Sequence, residues 1–93
     1  MTLTLEGPHG TITVPDSVLL EIATRAAEGV EGVRVRRKQS VDAESRVVRL
    51  ELSAARGEPL ATQGERVQET VAAALHATCA FKVKVELAFE ELR

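Results

Sequence analysis

The sequence is poor in aromatic residues: it contains two Phe and neither Tyr nor Trp. Aromatic rings are the side chains that stack on nucleobases and anchor many binding interfaces. Their scarcity disfavours a base-stacking or ring-binding site and leaves a core built mainly of Ala, Val and Leu. Only one Cys is present, so no internal disulfide can form.

The chain also lacks long apolar runs. No stretch approaches the roughly 20 apolar residues that span a bilayer, and the chain does not open like a secretory signal, so we expect a cytoplasmic protein. The 93 residues, 44% hydrophobic and 28% charged, are typical of one folded domain over residues 1–93. The net charge of −2 disfavours a strongly basic nucleic-acid protein.

Two segments have the periodicity of amphipathic helices. The first is predicted to begin at Pro15 and to end at Gly29, and its apolar face comprises Val18, Leu19, Ile22, Ala23, Ala26, Ala27 and Val30. In the second, Thr62-Gln63-Gly64-Glu65 matches a capping box and predicts the helix start. Because Gly costs about 1 kcal/mol inside a helix, Gly64 indicates close packing on the sheet if the helix begins earlier. The predicted buried face of the second helix comprises Leu60, Gly64, Val67, Val71, Ala74, Leu75 and Thr78.

Four segments alternate between apolar and polar residues, as strands do. Residues 11–14 precede the first helix, and residues 33–36 and 48–54 form a predicted β-hairpin around a long polar loop. Residues 81–90 give the clearest strand, after the second helix. The order strand, helix, strand, strand, helix, strand predicts an α+β fold with two helices packed on one face of a single sheet and a polar opposite face.

The sequence contains few residues that could take part in catalysis or bind a metal. His9, His76 and Cys79 are the only His and Cys residues, whereas a structural zinc site takes four ligands and a Cys nucleophile requires an oriented base. No phosphate-binding glycine motif and no long insertion is present. We therefore expect no enzymatic activity, no metal and no cofactor, with His76 solvated and Cys79 buried and inert.

Two nucleic-acid motifs are matched only in part. Gly29-Val30-Glu31-Gly32 fits the GxxG pattern of KH domains, but it follows a helix, leads into a strand and carries an acidic residue that would repel phosphate. A glycine-rich helix stop explains it better. The strand order resembles that of an RNA-recognition motif, whose stacking aromatics are absent here.

The hairpin region is locally basic. One interpretation is an ordinary solvated hairpin whose charges protect its edge. The other is a docking surface for an acidic protein segment, an anionic lipid surface or RNA. For a docking surface, the predicted protein-contact residues are Arg34, Arg36, Arg49, Lys82 and Lys84.

An ordered set of short segments extends over most of the chain: residues 10–14, 18–19, 22–23, 26–27, 30–33, 50–52, Gly57, 67–68, Val71, Thr78 and 83–87. In this set the chain resembles the bacterial alkaline shock protein family, whose members are commonly called envelope stress response proteins. Two departures stand out: Cys79-Ala80 replaces a frequent Gly-Leu pair, and Glu86 occupies a position where Asn is familiar.

The resemblance implies a non-enzymatic domain of cell-envelope homeostasis that acts through protein contacts and self-association, in some members at the membrane through an integral partner. It brings no catalytic residue and no cofactor. We therefore expect a homo-oligomer, with a membrane-associated protein as a further partner and no small-molecule substrate. The alternative is a weak nucleic-acid-binding domain that uses the basic hairpin and sheet face through phosphate contacts.

Overall fold

The computed structural model describes residues 2–54 and 59–92. The elements along these ranges are β1 (Thr2–Gly7), β2 (Gly10–Pro15), α1 (Asp16–Glu28), β3 (Val33–Asp42), β4 (Val47–Ala54), α2 (Leu60–Cys79) and β5 (Lys84–Leu92). The α+β class is confirmed, and from β2 onward the elements follow the predicted order. Residues 57 and 58, where the sequence predicts a break after the strand, lie outside the described residues.

The strands form two sheets, whereas the sequence predicted one. β1 and β2 pair in an antiparallel hairpin, and β3, β4 and β5 form a second sheet in which β4 is antiparallel to β3 and parallel to β5. The sequence interpretation missed β1, although Leu3 and Leu5 alternate with polar residues. These two side chains and Val14 pack partly on the core, while Ile12 is 55% exposed.

Most of the predicted loop at residues 37–45 is strand. The register between β3 and β4 shifts between Val35 and Gln39, so three residues of β3 oppose the single residue Glu51. Such a bulge interrupts the alternation of side chains, which is why the periodicity disappears from the sequence. The turn itself is short, and it contains Arg46 in the left-handed region with φ 58°.

Both helices lie on the same face of the three-stranded sheet, as predicted. The Thr24 hydroxyl of α1 donates to the Gln39 amide oxygen at 2.7 Å, and Gly64 of α2 faces Leu87. Gln39 and Leu87 are the two register partners of Leu50 on β4, so they share one sheet face. The core between helices and sheet includes the fully buried Leu19, Ala23, Ala27, Val48, Leu52, Val67, Val71 and Leu75.

The first helix ends as predicted, at Gly29, and Gly32 has the positive φ of 82° that glycine adopts readily. Its buried residues are Leu19, Ala23 and Ala27, at every fourth position. The predicted face also included Val18, which is 41% exposed. The face that contacts the rest of the molecule is therefore narrower than the apolar stripe in the sequence.

The capping-box prediction for the second helix is wrong. The helix begins at Leu60 after Pro59, without a side-chain cap, and the Gln63 amide donates to the Pro59 carbonyl at 3.1 Å. Proline at this boundary presets φ and has no amide proton that needs a partner. The buried face is also rotated from the predicted one, because Leu60 is 40% exposed and Thr78 is exposed, and it comprises Gln63, Gly64, Val67, Val71, Leu75 and Cys79.

Gly64 packs against β5, but this packing leaves room for a methyl group. A Cβ at this position would lie 3.5 Å from Cε2 of Phe89 and 3.8 Å from Cδ1 of Leu87, both ordinary van der Waals distances. We expect Gly64→Ala to raise the free energy of unfolding by about 0.5–1 kcal/mol, because Ala favours the helical state. Urea denaturation measures the change, and a clear loss of stability would show that α2 and β5 approach more closely.

Candidate functional site

The face of the three-stranded sheet opposite the helices is uncovered in the described part of the chain. Along β4, Val48, Leu50 and Leu52 point to the core, while Arg49 is exposed between them. A shallow depression on the uncovered side has a volume of about 480 Å³ and is lined by Ser40, Arg49, Glu51, Glu86 and Ala88, with Gln39, Leu50 and Leu87. This open sheet face is polar, as the sequence predicted.

Arg49 is paired on this face. Its Nε lies 3.2 Å from Oε1 of Glu86, which occupies the neighbouring register position on β5. The two side chains are 59% and 48% exposed, so the ion pair contributes little to stability in water. Its main consequence is electrostatic: Glu86 largely balances the charge of Arg49. The centre of the sheet face is therefore not a basic patch.

The structure separates the five predicted contact residues. Arg34 on β3 is at the level of Ser53, and Lys84 on β5 is at the level of Val47, so they lie at opposite ends of β4. At about 3.3 Å per residue the separation along the strand is about 20 Å. The remaining residues are Arg36 in the β3 bulge, Arg49 on β4 and Lys82 just before β5, and all five are exposed. Their role in partner contact stays a prediction.

Charge is divided between the two outer strands of this sheet. β3 carries four basic residues and one acidic residue, whereas β5 carries three acidic residues and one basic residue. We call these strands the β3 edge (Val33–Asp42) and the β5 edge (Lys84–Leu92). Because β4 lies between them, the two outer strands of the sheet differ in the sign of their net sequence charge.

Asp42 orders the turn between β3 and β4. Its Oδ1 accepts the backbone N–H of Glu44 at 3.0 Å and that of Ser45 at 3.3 Å. Hydrogen bonds from the Ser45 hydroxyl first, and from these amides, hold the pKa of the Asp42 carboxyl below its ordinary value. These hydrogen bonds hold Asp42 in place at the end of the β3 edge.

The Ser45 hydroxyl makes the largest contribution to the lowered pKa of Asp42, so Ser45→Ala is expected to raise that pKa toward its ordinary value. An NMR titration of the carboxyl carbon measures the change. Since the folded-state pKa is lowered, the stabilisation by ionised Asp42 is present above the unfolded-state pKa and is lost as pH falls through the folded-state pKa. An unchanged titration midpoint in the variant would remove Ser45 from this role.

The remaining chemistry-bearing residues are two histidines and one cysteine. His76 is exposed near the end of α2, Cys79 is 6% exposed on its buried face, and His9 lies in the turn of the β1–β2 hairpin. Within residues 2–54 and 59–92, no group of three His, Cys, Asp or Glu residues is gathered as a metal site would require. In the same ranges neither helix is both long and apolar enough to cross a membrane.

Two buried polar residues were missed from the sequence. Ser53 and Gln63 are 1% and 2% exposed, and neither Ser53 Oγ nor Gln63 Oε1 has a hydrogen-bond partner among the described residues. Ser53 follows the polar phase of β4, which predicted an exposed side chain. Ser53 lines a small depression together with the loop after α1 that carries Gly32, which is distant from it in sequence.

No family model matches the chain, and no curated protein matches it by sequence. Two similar solved structures are variants of MamM-CTD. A double alanine variant is 18% identical, with a TM-score of 0.55, and the match covers 81% of this chain and 92% of that one. A single alanine variant is 19% identical, with a TM-score of 0.52 and coverages of 78% and 92%. At these identities the likeness shows a shared fold, and fold alone does not define function.

Proposed function

We propose that this chain is a non-enzymatic protein-interaction domain that acts by self-association and by binding a protein partner. The observation that carries the proposal is the three-stranded sheet with a bare polar face and two outer strands of opposite charge. Outer strands present backbone N–H and C=O groups that a further strand can pair with. Charge on those strands then determines which strand is accepted.

The arrangement of the described residues supports binding over catalysis. The depression on the sheet face is shallow, and its central charged groups, Arg49 and Glu86, satisfy each other. Cys79 is buried, so a substrate could not reach its thiol without a local change of structure. A catalytic nucleophile and its base must lie within hydrogen-bonding reach of each other and of a substrate.

The finer role rests on the resemblance to the alkaline shock protein family. We propose that the chain acts in the cytoplasm in cell-envelope homeostasis, and that any membrane association occurs through a protein partner. Cross-linking in the host, followed by purification of the chain from soluble and membrane fractions, tests this role. Recovery of the same envelope protein in repeated purifications is the expected result, and recovery of soluble proteins alone would contradict it.

Sedimentation equilibrium of the purified chain over a range of concentrations tests the self-association. We expect a weight-average mass that rises above the 10.0 kDa of the single chain as concentration increases. High salt is expected to lower that mass, because charged strands contribute to the contact. A mass of 10.0 kDa at every concentration would contradict the proposal.

The concentration of basic residues on β3 favours one alternative, weak nucleic-acid binding through phosphates. The ion pair between Arg49 and Glu86 counts against it, since it removes a cation from the centre of the sheet. Because the chain has neither Trp nor Tyr, bound nucleic acid would dominate its near-ultraviolet absorbance. A strong nucleic-acid band after purification at low salt, removed by higher salt, would favour the alternative.

A further inference from the structure

The structure points to a specific form of self-association: we propose that the β3 edge of one molecule pairs with the β5 edge of the next, so that the sheet continues from copy to copy. The inference rests on the proposed function and specifies its contact surface. Within the described residues, β3 and β5 each pair with β4 alone, so each has one side without a partner strand. Such strands pair readily with another chain unless something prevents it.

The directions of the strands suit this pairing. β3 runs antiparallel to β4, and β5 runs parallel to β4, so β3 and β5 run in opposite directions. A second copy displaced sideways by the width of the sheet therefore places its β3 antiparallel to the β5 of the first copy. Antiparallel pairing is the more stable of the two ladder types per residue.

The charges of the two edges match in register. Arg34 and Glu91 are both register partners of Ser53, at one end of β4, while Asp42 and Lys84 are both partners of Val47, at the other end. The sideways displacement that brings β3 beside β5 thus sets a basic position against an acidic one at both ends. On each strand the charge at one end is opposite in sign to the charge at the other end. If β3 of the second copy ran parallel to β5, like charges would therefore face each other at both ends.

Pairing of like edges is disfavoured. Two β3 edges would bring together strands that each carry four basic residues and one acidic residue, and two β5 edges would bring together strands that are mainly acidic. Charged residues on outer strands usually prevent association. Here they prevent like pairing and favour unlike pairing, which is a head-to-tail contact. Such a contact generates a ring or an open chain of molecules.

Two features limit how much of each edge can pair. Gln68 of α2 donates from Nε2 to the Val85 carbonyl at 3.0 Å. Since the Lys84 amide donates to Arg46 on the β4 side, the carbonyl of the next residue points outward, so one acceptor of the β5 edge is already occupied. The bulge in β3 interrupts its ladder as well. We therefore expect a reversible, salt-sensitive association, not an obligate one.

Two charge-reversed proteins test the inference. The first carries Arg34→Glu and Arg36→Glu on the β3 edge, and the second carries Glu90→Lys and Glu91→Lys on the β5 edge. A matched control carries Glu6→Lys and Glu69→Lys, at exposed positions on β1 and α2. Sedimentation equilibrium of each protein, and of an equimolar mixture of the two reversed proteins, gives the masses. Circular dichroism confirms that the helices are retained.

Each reversed protein alone is expected to associate about tenfold or more weakly than the unchanged chain, because its two edges now carry the same sign. The mixture is expected to associate again, since each protein supplies an edge that attracts the other, and the control should behave as the unchanged chain. The edge pairing would be overturned if each reversed protein still associated by itself, or if the mixture of the two did not associate. Either result would still be compatible with self-association through another surface. An unchanged chain that stays monomeric would remove the proposed function as well.

Discussion

Leu75→Ala is expected to lower the free energy of unfolding by about 2–5 kcal/mol. Leu75 is fully buried on the inner face of α2, in the cluster that includes Leu19, Val71 and Phe81. Removing its branched end loses the transfer free energy of those carbons and leaves a cavity that the surrounding side chains fill only partly. For a domain of this size the loss is a large fraction of the usual total stability, about 5–15 kcal/mol.

Urea denaturation followed by far-ultraviolet circular dichroism measures this change, since the chain has no Trp for fluorescence. The matched control is Leu60→Ala in the same helix, where the side chain is 40% exposed. That substitution is expected to cost less than about 1 kcal/mol, because little apolar area returns to water. Equal losses in the two variants would contradict the assignment of Leu75 to the buried face.

Ala23→Leu is expected to destabilise the protein by about 1–3 kcal/mol for the opposite reason, overpacking. Ala23 and Ala27 are fully buried, one turn apart, where α1 lies against α2 and β3. Small residues at these positions let the elements approach closely. A Leu side chain at Ala23 would force α1 outward or push neighbouring side chains from their rotamers.

The control for this variant is Ala73→Leu, at an exposed position of α2. Leu and Ala have similar helix propensities, so the control is expected to change the free energy of unfolding by less than about 0.5 kcal/mol. Thermal unfolding of both variants under one set of conditions compares them. If Ala23→Leu were as stable as its control, the interface between α1 and α2 would have to be looser than described.

Local sequence patterns predicted the element types well where one face of an element is buried. The helical spacing placed α1 and α2, and the alternation of residues 48–54 and 81–90 predicted two strands of the sheet, although the second strand begins only at Lys84. These signals depend on side chains facing a core. The start of α2 was harder to predict, because Thr62 and Glu65 fit a capping box that the chain does not use, while Pro59 sets the true boundary.

The sheet arrangement could not be predicted in the same way. The β3 bulge removes the alternation over residues 36–38, so part of a strand looked like a loop. The parallel pairing of β4 with β5 joins segments that are distant along the chain, and local periodicity contains no information about it. In the β1–β2 hairpin, β2 was predicted from residues 11–14, but β1 was missed although Leu3 and Leu5 alternate with polar residues, so the hairpin was not anticipated as a separate sheet.

The candidate site was predictable in composition but not in geometry. The sequence indicated a basic hairpin and exposed charged residues, and Arg34, Arg36 and Lys84 are indeed exposed. It grouped them as one basic surface, whereas the register places Arg34 and Lys84 at opposite ends of β4. The opposite charges of the β3 and β5 edges become visible only when the strand order is known.

Amide hydrogen exchange of the unchanged chain at low and high protein concentration tests the central claim most directly. If molecules associate through their sheet edges, concentration is expected to slow exchange in β3 and β5 and to leave the β1–β2 hairpin and the exposed turns of α2 unaffected. High salt should reverse the added protection. Protection that appears in the β1–β2 hairpin instead, or at no position, would contradict the account.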